Sequence, residues 1–408
     1  MKIGIVGGSI AGCSAAILLL KEGYDVTVFE RSNKALVGRG GGIGTTPTLL
    51  NEIQEAGLIS EEFASFHISK MPFVGKSLGT EPNGKIAWSM PVNFRVFQWN
   101  ELWRNLRDRV PNKIYNAGIQ IVGASFLDNG RVELHTSTDE QEEFDLVLFA
   151  DGYNSLGRQI IFPSKKLKYR GYILWRGLLP ESYMKGPNNL NDEILRLSYL
   201  GKPGHNVVYF IPSVDGSVEK GKRVFNWAAY IAIPEQELSE IMTDKNGRLR
   251  EGTIPPGLLS PSNEKRLKQF IIENTPQYYG EIVNKTVDSY IQVIYTLDLD
   301  QYFKKRICLI GDAGMVVQPF TGSGVFKGYH NVKDLIQYLK EDISIDEAIE
   351  KWSEDQLLTG KKLLALGEQM EKAFIWEQLD FATVDQSTTM EWWKASVTFP
   401  DSFNYETG

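Results

Sequence analysis

Six residues near the N-terminus constrain this chain more than any others: Gly7-Gly8-Ser9-Ile10-Ala11-Gly12. They follow Ile3-Gly4-Ile5-Val6, an uncharged run that reads as a short buried strand. Cys13 to Glu22, rich in Ala and Leu, reads as a helix that Gly23 ends. Asp25 to Phe29 is a second strand, with Glu30 at its end. Strand, glycine turn, helix and strand make a βαβ unit. Glycine lets the turn bend sharply and lets backbone approach a pyrophosphate. The helix start adds free N–H groups and partial positive charge. Gly7, Ser9, Ile10, Ala11 and Gly12 are therefore candidates for holding a dinucleotide diphosphate. Glu30, with Arg31 beside it, is the candidate for a ribose diol. The middle glycine of G-x-G-x-x-G is Ser9 here.

The rest of the chain narrows the class. Its 408 residues suffice for two packed domains, or one large domain with a substantial insertion. A net charge of −7 gives no reason to expect nucleic acid or an anionic membrane surface as partner. Lys2 to Leu20 is apolar but too short for a membrane span, and its glycines are ordered; it does not read as a secretory signal. Cys13 and Cys308 sit in apolar runs and read as buried small hydrophobes rather than a disulfide. A reducing, cytoplasmic compartment is expected. His67, His135, His205 and His330 share no metal-ligand spacing, so no metal site is expected.

Two distant stretches decide between dinucleotides. Asp145 to Ala150 reads as a buried strand ending in Asp151-Gly152, with Ser155 and Arg158 beyond. Arg306 to Ile310 reads as another, ending in Gly311-Asp312-Ala313, with Pro319 and Gly322-Ser323-Gly324-Val325 following. This ordered set resembles the class A flavoprotein monooxygenases, the para-hydroxybenzoate hydroxylase-like family, over roughly residues 1 to 370. Shorter stretches, Gly171 to Gly177, Gly40 to Ile43 and the run to Lys327, are similar to the dihydroxypyridine hydroxylases within it.

The resemblance implies an α/β fold: a Rossmann-like FAD-binding domain with an inserted β-sheet substrate domain. It implies that Asp312 accepts hydrogen bonds from the ribityl chain of FAD. The backbone at Gly322, Ser323, Gly324 and Val325 would pass the isoalloxazine edge, and the helix beyond would direct its positive end there. Asp151, Gly152, Arg158 and Gly311 complete the expected cofactor set. The single glycine fingerprint and the lack of a redox cysteine pair imply that NADH or NADPH binds transiently. The implied reaction is hydroxylation of a small electron-rich aromatic or N-heteroaromatic ring, with O2, through a flavin C4a-hydroperoxide. A homodimer is compatible with the resemblance. Two departures stand out: Trp99 occupies the place where the family commonly has an arginine, and Gly314-Met315 stands where it often has a histidine. An FAD monooxygenase of a non-aromatic or drug-like substrate, and a non-catalytic FAD-binding protein, remain alternatives. A W-x-W-x-I-P halogenase motif is not present.

The expected FAD-binding domain is discontinuous, using 1–70, 100–165 and 297–365. Residues 71–99 and 166–296 form the expected substrate domain, and 366–408 a C-terminal segment that packs through Trp376, Trp392, Trp393 and Phe399. Strands are expected at Lys85–Met90, Asn206–Pro212, Arg223–Ile233 and Ser289–Leu297. Helices are expected at Glu235–Met242 and Asn263–Glu273. The strands would roof the flavin, with Tyr172, Trp175, Tyr209, Phe210, Trp227 and Phe320 as pocket candidates. Pro319 would shape the reactive face. Arg176, among apolar neighbours, is a candidate for a carboxylate, the flavin or an anionic substrate. His205 and His67 are candidate bases.

Overall fold

The computed structural model describes residues 1–34, 36, 40–77, 79, 81–184, 190 and 193–398. The N-terminal strand Lys2–Val6 and helix Ile10–Lys21 form as the glycine pattern requires. Lys2–Val6 lies between Asp25–Glu30 and Leu146–Phe149, parallel to both. Ile307–Leu309 extends the sheet beyond Leu146–Phe149, and Tyr115–Ala117 closes the other side. Phe303–Lys304 adds an antiparallel edge, completing a six-stranded sheet. The central strands carry no polar alternation because helices cover both faces of such a sheet. Ile121–Phe126, Val132–Thr136 and Gln141–Phe144 form a separate three-stranded sheet that the sequence did not announce.

A nine-stranded sheet stands over the first. In order it uses Thr253–Ile254, Tyr290–Thr296, Lys168–Pro180, Val224–Ala232, Gly204–Ile211, Leu195–Ser198, Phe66–Gly75, Lys85–Gln98 and Gly42–Thr45. All neighbours are antiparallel except Leu195–Ser198 with Phe66–Gly75. Two strands of this roof, Gly42–Thr45 and the start of Phe66–Gly75, fall inside the 1–70 segment expected in the FAD-binding domain. The chain leaves the Rossmann-like sheet soon after Glu30, and Gly42–Thr45 reaches the roof by pairing with Arg95–Gln98. The helices Glu235–Ile241 and Pro261–Asn274 cover the roof's outer face.

Strand parity sorts the roof's aromatic residues. Trp175, Phe210 and Trp227 point to the outer face, where Trp175 and Trp227 meet edge-on at 4.7 Å. Their indole N–H groups donate to Ser289 and Thr286. These three are therefore core, not pocket. Tyr172, Tyr209 and Tyr230, on the alternate parity, share the inner-face cluster with Phe320, but Tyr172 is fully buried, donates to Glu371 and lies outside the cavity lining, so it too is core rather than pocket.

The C-terminal part begins with Ser344, whose side chain accepts from the Glu347 N–H and starts the 27-residue helix Ile345–Glu371. That helix runs through the expected 365/366 boundary. A π-turn, Lys372–Trp376, ends it, and helix Gln386–Val397 folds back onto the roof. Trp392 and Trp393 pack edge-on against Phe73, at 6.3 and 5.3 Å. Phe399 lies outside the described residues. Among those described, no helix is long and apolar enough to cross a membrane, and no His, Cys, Asp or Glu group could hold a metal ion.

Candidate active site

The glycine turn is held open by its surroundings. Gly7 has φ +105, a conformation that side chains with a Cβ rarely adopt. A Cβ on Gly12 would collide with the Gly7 carbonyl. Ser9, at the helix N-cap, makes no side-chain capping bond, which leaves the first-turn N–H groups to a ligand. Glu30 is buried at the end of its strand, accepting from the N–H of Gly8 at 2.8 Å and of Ser32 at 2.9 Å. Arg31 is exposed beside it. The Gly8 carbonyl accepts from Trp103 Nε1 and from the Tyr115 hydroxyl, so the turn is braced from behind.

The Asp151 and Asp312 motifs meet through Arg158. Its guanidinium donates to the Tyr153 carbonyl at 2.5 Å and to the Ala313 carbonyl at 3.0 Å. Arg158 is buried and is a strut between the two loops. Asp151 caps the short helix Leu156–Ile161, accepting from the Leu156 N–H at 2.7 Å. Burial pushes its carboxyl up despite the hydrogen bonds it accepts. Asp312 stands half-exposed and pairs with the buried ammonium of Lys327 at 2.5 Å. Asn331, a residue the sequence did not single out, accepts from the Gly311 N–H at 2.8 Å and ties that loop to Gln356.

The second helix at the site starts at Lys327, after a tight turn over Pro319–Thr321 and Gly322 at φ +65. A Cβ on Gly328 would lie 2.5 Å from the Ala11 Cβ, and one on Gly311 would lie 3.1 Å from the same atom. The starts of helices Ile10–Lys21 and Lys327–Leu339 therefore abut, and both positive ends serve one place.

A cavity of 820 Å³ opens between these elements and the roof, within the size range of ligand sites. One wall carries Asp312, Pro319, Gly322, Ser323, Gly324 and Val325, and the opposite wall carries Arg176, His205, Tyr209 and Tyr230. Gly41, Gly42 and Trp99 line the same space. Gly7, Ser9, Ile10, Ala11, Gly12, Glu30, Arg31, Asp151, Gly152, Arg158 and Gly311 lie outside that lining. Ala11 and Gly311 connect the glycine turn to it. An uncapped helix start, a glycine cradle with no room for side chains and a polar wall at Asp312 together fit FAD.

His205 does not suit the role of base. It is fully buried, its Nδ1–H donates to the Phe374 carbonyl at 2.9 Å, and its Nε2 accepts from Arg196 at 3.0 Å. Burial and the Arg196 charge hold its pKa well below the usual value, so it is a fixed neutral group. His67 bonds to Asn93 on the surface, outside the cavity lining.

Comparison with known proteins agrees with this geometry. Residues 5–39 match the NAD(P)-binding Rossmann-like domain family, and residues 169–296 match an FAD binding domain-like family. The solved structure of 2,6-dihydroxypyridine-3-hydroxylase from Arthrobacter nicotinovorans superposes with a TM-score of 0.82 at 24% identity, covering 98% of this chain and 99% of that one. The fold is that of the class A flavin-dependent monooxygenases. In sequence, this monooxygenase fold is 27% identical over 368 residues to the 2,6-dihydroxypyridine 3-monooxygenase of Paenarthrobacter nicotinovorans, 89% of each chain. It is 24% identical over 348 residues to the 3-amino-4-hydroxybenzoate 2-monooxygenase of Streptomyces cremeus, 82% of this chain and 78% of that one.

Proposed function

We propose that this flavin-dependent monooxygenase hydroxylates an electron-rich aromatic or N-heteroaromatic ring, such as a hydroxypyridine or phenol, with electrons from NADH or NADPH. The observation that carries the reading is the cavity itself. It sets the Asp312 and Gly322–Val325 wall opposite an aromatic roof. Bound FAD would supply two-electron transfer from the nicotinamide and the activation of dioxygen.

The chain's own residues do the rest. Backbone at Gly7–Gly12 and Asp312 would bind and orient the cofactor. Phe320, 4.8 Å from Tyr230 between ring centres and stacked on Tyr172 at 6.2 Å, gives the reacting face an apolar surround. Trp393, from the C-terminal helix, lines the same cavity and helps exclude water. Pro319 would shape the entry to that face. The free, buried cysteines Cys13 and Cys308 support a reducing compartment such as the cytoplasm. A homodimer is part of the same reading, and sedimentation velocity tests it.

The purified, FAD-reconstituted chain should oxidise NADH or NADPH faster with a hydroxypyridine or phenol present, and yield a product heavier by one oxygen. Bound flavin with no ring-dependent oxidation across that panel would favour a non-aromatic substrate or a non-catalytic FAD-binding role.

A further inference from the structure

The roof carries a cation with no acid to match it. Arg176 lies on the strand Lys168–Pro180, facing the cavity. Among the described residues no carboxylate pairs with it, and the titratable groups that face it are the phenols of Tyr290, Tyr209 and Tyr230. Its Nη2 donates to the Gly42 carbonyl at 3.0 Å, and its buried Nε has no hydrogen-bond partner among the described residues. An arginine cannot shed its proton in a protein, and a desolvated guanidinium with unfilled donors is costly. An anionic group in the cavity would supply the balancing charge.

The surroundings are arranged as donors. Tyr209 and Tyr230 line the cavity beside Arg176. Burial pushes both phenols up, Tyr230 to about 12, so they stay protonated and able to donate. Behind them, Asn226 is fully buried and accepts from the Gly42 N–H at 2.8 Å. The Tyr290 hydroxyl is a further buried group without a partner among the described residues. The backbone at Gly41 is pressed close: a Cβ there would lie 2.7 Å from Arg176 Nη2 and 2.8 Å from Asn226 Oδ1. The guanidinium is thereby fixed in place before any ligand arrives, which reduces the ordering cost of binding.

We propose that Arg176, flanked by Tyr209 and Tyr230, anchors an anionic oxygen of the ring substrate, either a carboxylate or an ionised ring hydroxyl. The proposal rests on the reading of the cavity as a ring-substrate site and adds the charge that the substrate carries. Arg176 is then a specificity-determining residue, and a ring without an acidic oxygen is a poor ligand.

The test is equilibrium binding to the FAD-loaded protein, read from the visible flavin spectrum, separately from turnover. The probes are 6-hydroxynicotinate, its carboxamide, and 2,6-dihydroxypyridine, each titrated from pH 6 to 9. A carboxylate anchor gives at least about tenfold tighter binding of 6-hydroxynicotinate than of the carboxamide, about 1.4 kcal/mol. An oxyanion anchor gives affinity for 2,6-dihydroxypyridine that rises with the ring's own ionisation. Either preference should vanish in Arg176→Gln, persist in part in Arg176→Lys, and weaken in Tyr209→Phe. If Arg176→Gln fails to fold, Arg176→Lys carries the test: a reduced preference supports the anchor and an unchanged one overturns it. Wild-type protein that binds none of the probes, or binds them without regard to charge, overturns the proposal, as does a preference kept in Arg176→Gln. Anion binding without oxygenation would sink the hydroxylase reading and leave the anchor standing.

Discussion

The buried carboxylate of Glu371 accepts a hydrogen bond from Gln318 Nε2 at 3.0 Å, across 53 residues of sequence. The same carboxylate takes Arg170 through Nε and Nη2, and the Tyr172 hydroxyl at 3.2 Å. One side chain at the end of the long helix thus joins the roof strand to the loop that carries Pro319. Gly367 stands opposite Gln318, where any Cβ would strike the amide oxygen. Removing the carboxylate leaves Arg170 largely buried without its main partner, and breaking such a pair costs about 3 kcal/mol. Glu371→Ala should lose stability on that scale in urea denaturation. A loss below about 0.5 kcal/mol, the size of an ordinary surface change, would remove Glu371 as the joint.

Arg158 should matter to the cofactor as the strut between the two loops expected to hold it. Arg158→Met removes both carbonyl contacts that hold the Tyr153 and Ala313 loops together. FAD retention should fall by at least about tenfold, about 1.4 kcal/mol, in fluorescence titration of the apoprotein. Unchanged FAD affinity would show that the loops keep their spacing unaided.

The contact between Ala11 and Gly328 leaves no space for a methyl group. Gly328→Ala should force the two helix starts apart, at a cost of about 1–3 kcal/mol. Weaker FAD retention should accompany it, because the diphosphate turn and the Asp312 wall would separate. Gel filtration of the reconstituted variant reads both effects: elution as folded protein, and the flavin that travels with it.

His205 gives a pH signature. Its folded pKa lies below the ordinary 6.5 because burial and Arg196 disfavour the charged form. The unfolded chain therefore binds the extra proton first, and the stability contributed by neutral His205 is complete above about pH 6.5 and lost as pH falls toward the folded value. Wild-type stability should decline from pH 7 to pH 5, and His205→Gln should flatten that decline while lowering stability at pH 7. His330, also lowered by burial, contributes in the same direction and is present in both proteins. Parallel profiles for wild type and variant would contradict the assignment.

The cofactor side was legible because glycine is read through its backbone. Gly7 and Gly12, and Gly322 beyond Asp312, mark turns that other residues cannot make, and their order along the chain identified the fold. The roof was legible as strands but not as faces. Trp175 and Trp227 were equal to Tyr209 as pocket candidates, since a strand buried on both sides shows no alternation of polar residues. Tyr230, in the apolar run Trp227 to Ile231, escaped notice for the same reason. Glu371 and Asn331 were hidden differently. Each sits in an ordinary helical pattern, and its partners lie far away in sequence. His205 looked like a base because the sequence could not show that Arg196 and the Phe374 carbonyl already use both its nitrogens.

The proposed function has this cavity, loaded with FAD, transfer an oxygen atom from dioxygen to a ring. Its most direct test is single-enzyme turnover under isotopically labelled dioxygen, with NAD(P)H and a hydroxypyridine or phenol, followed by mass analysis of the product. One labelled oxygen in the ring product, formed only with FAD and reductant, is the expected result. Reductant oxidised with all the oxygen recovered as hydrogen peroxide, and no labelled ring for any member of the panel, would contradict it.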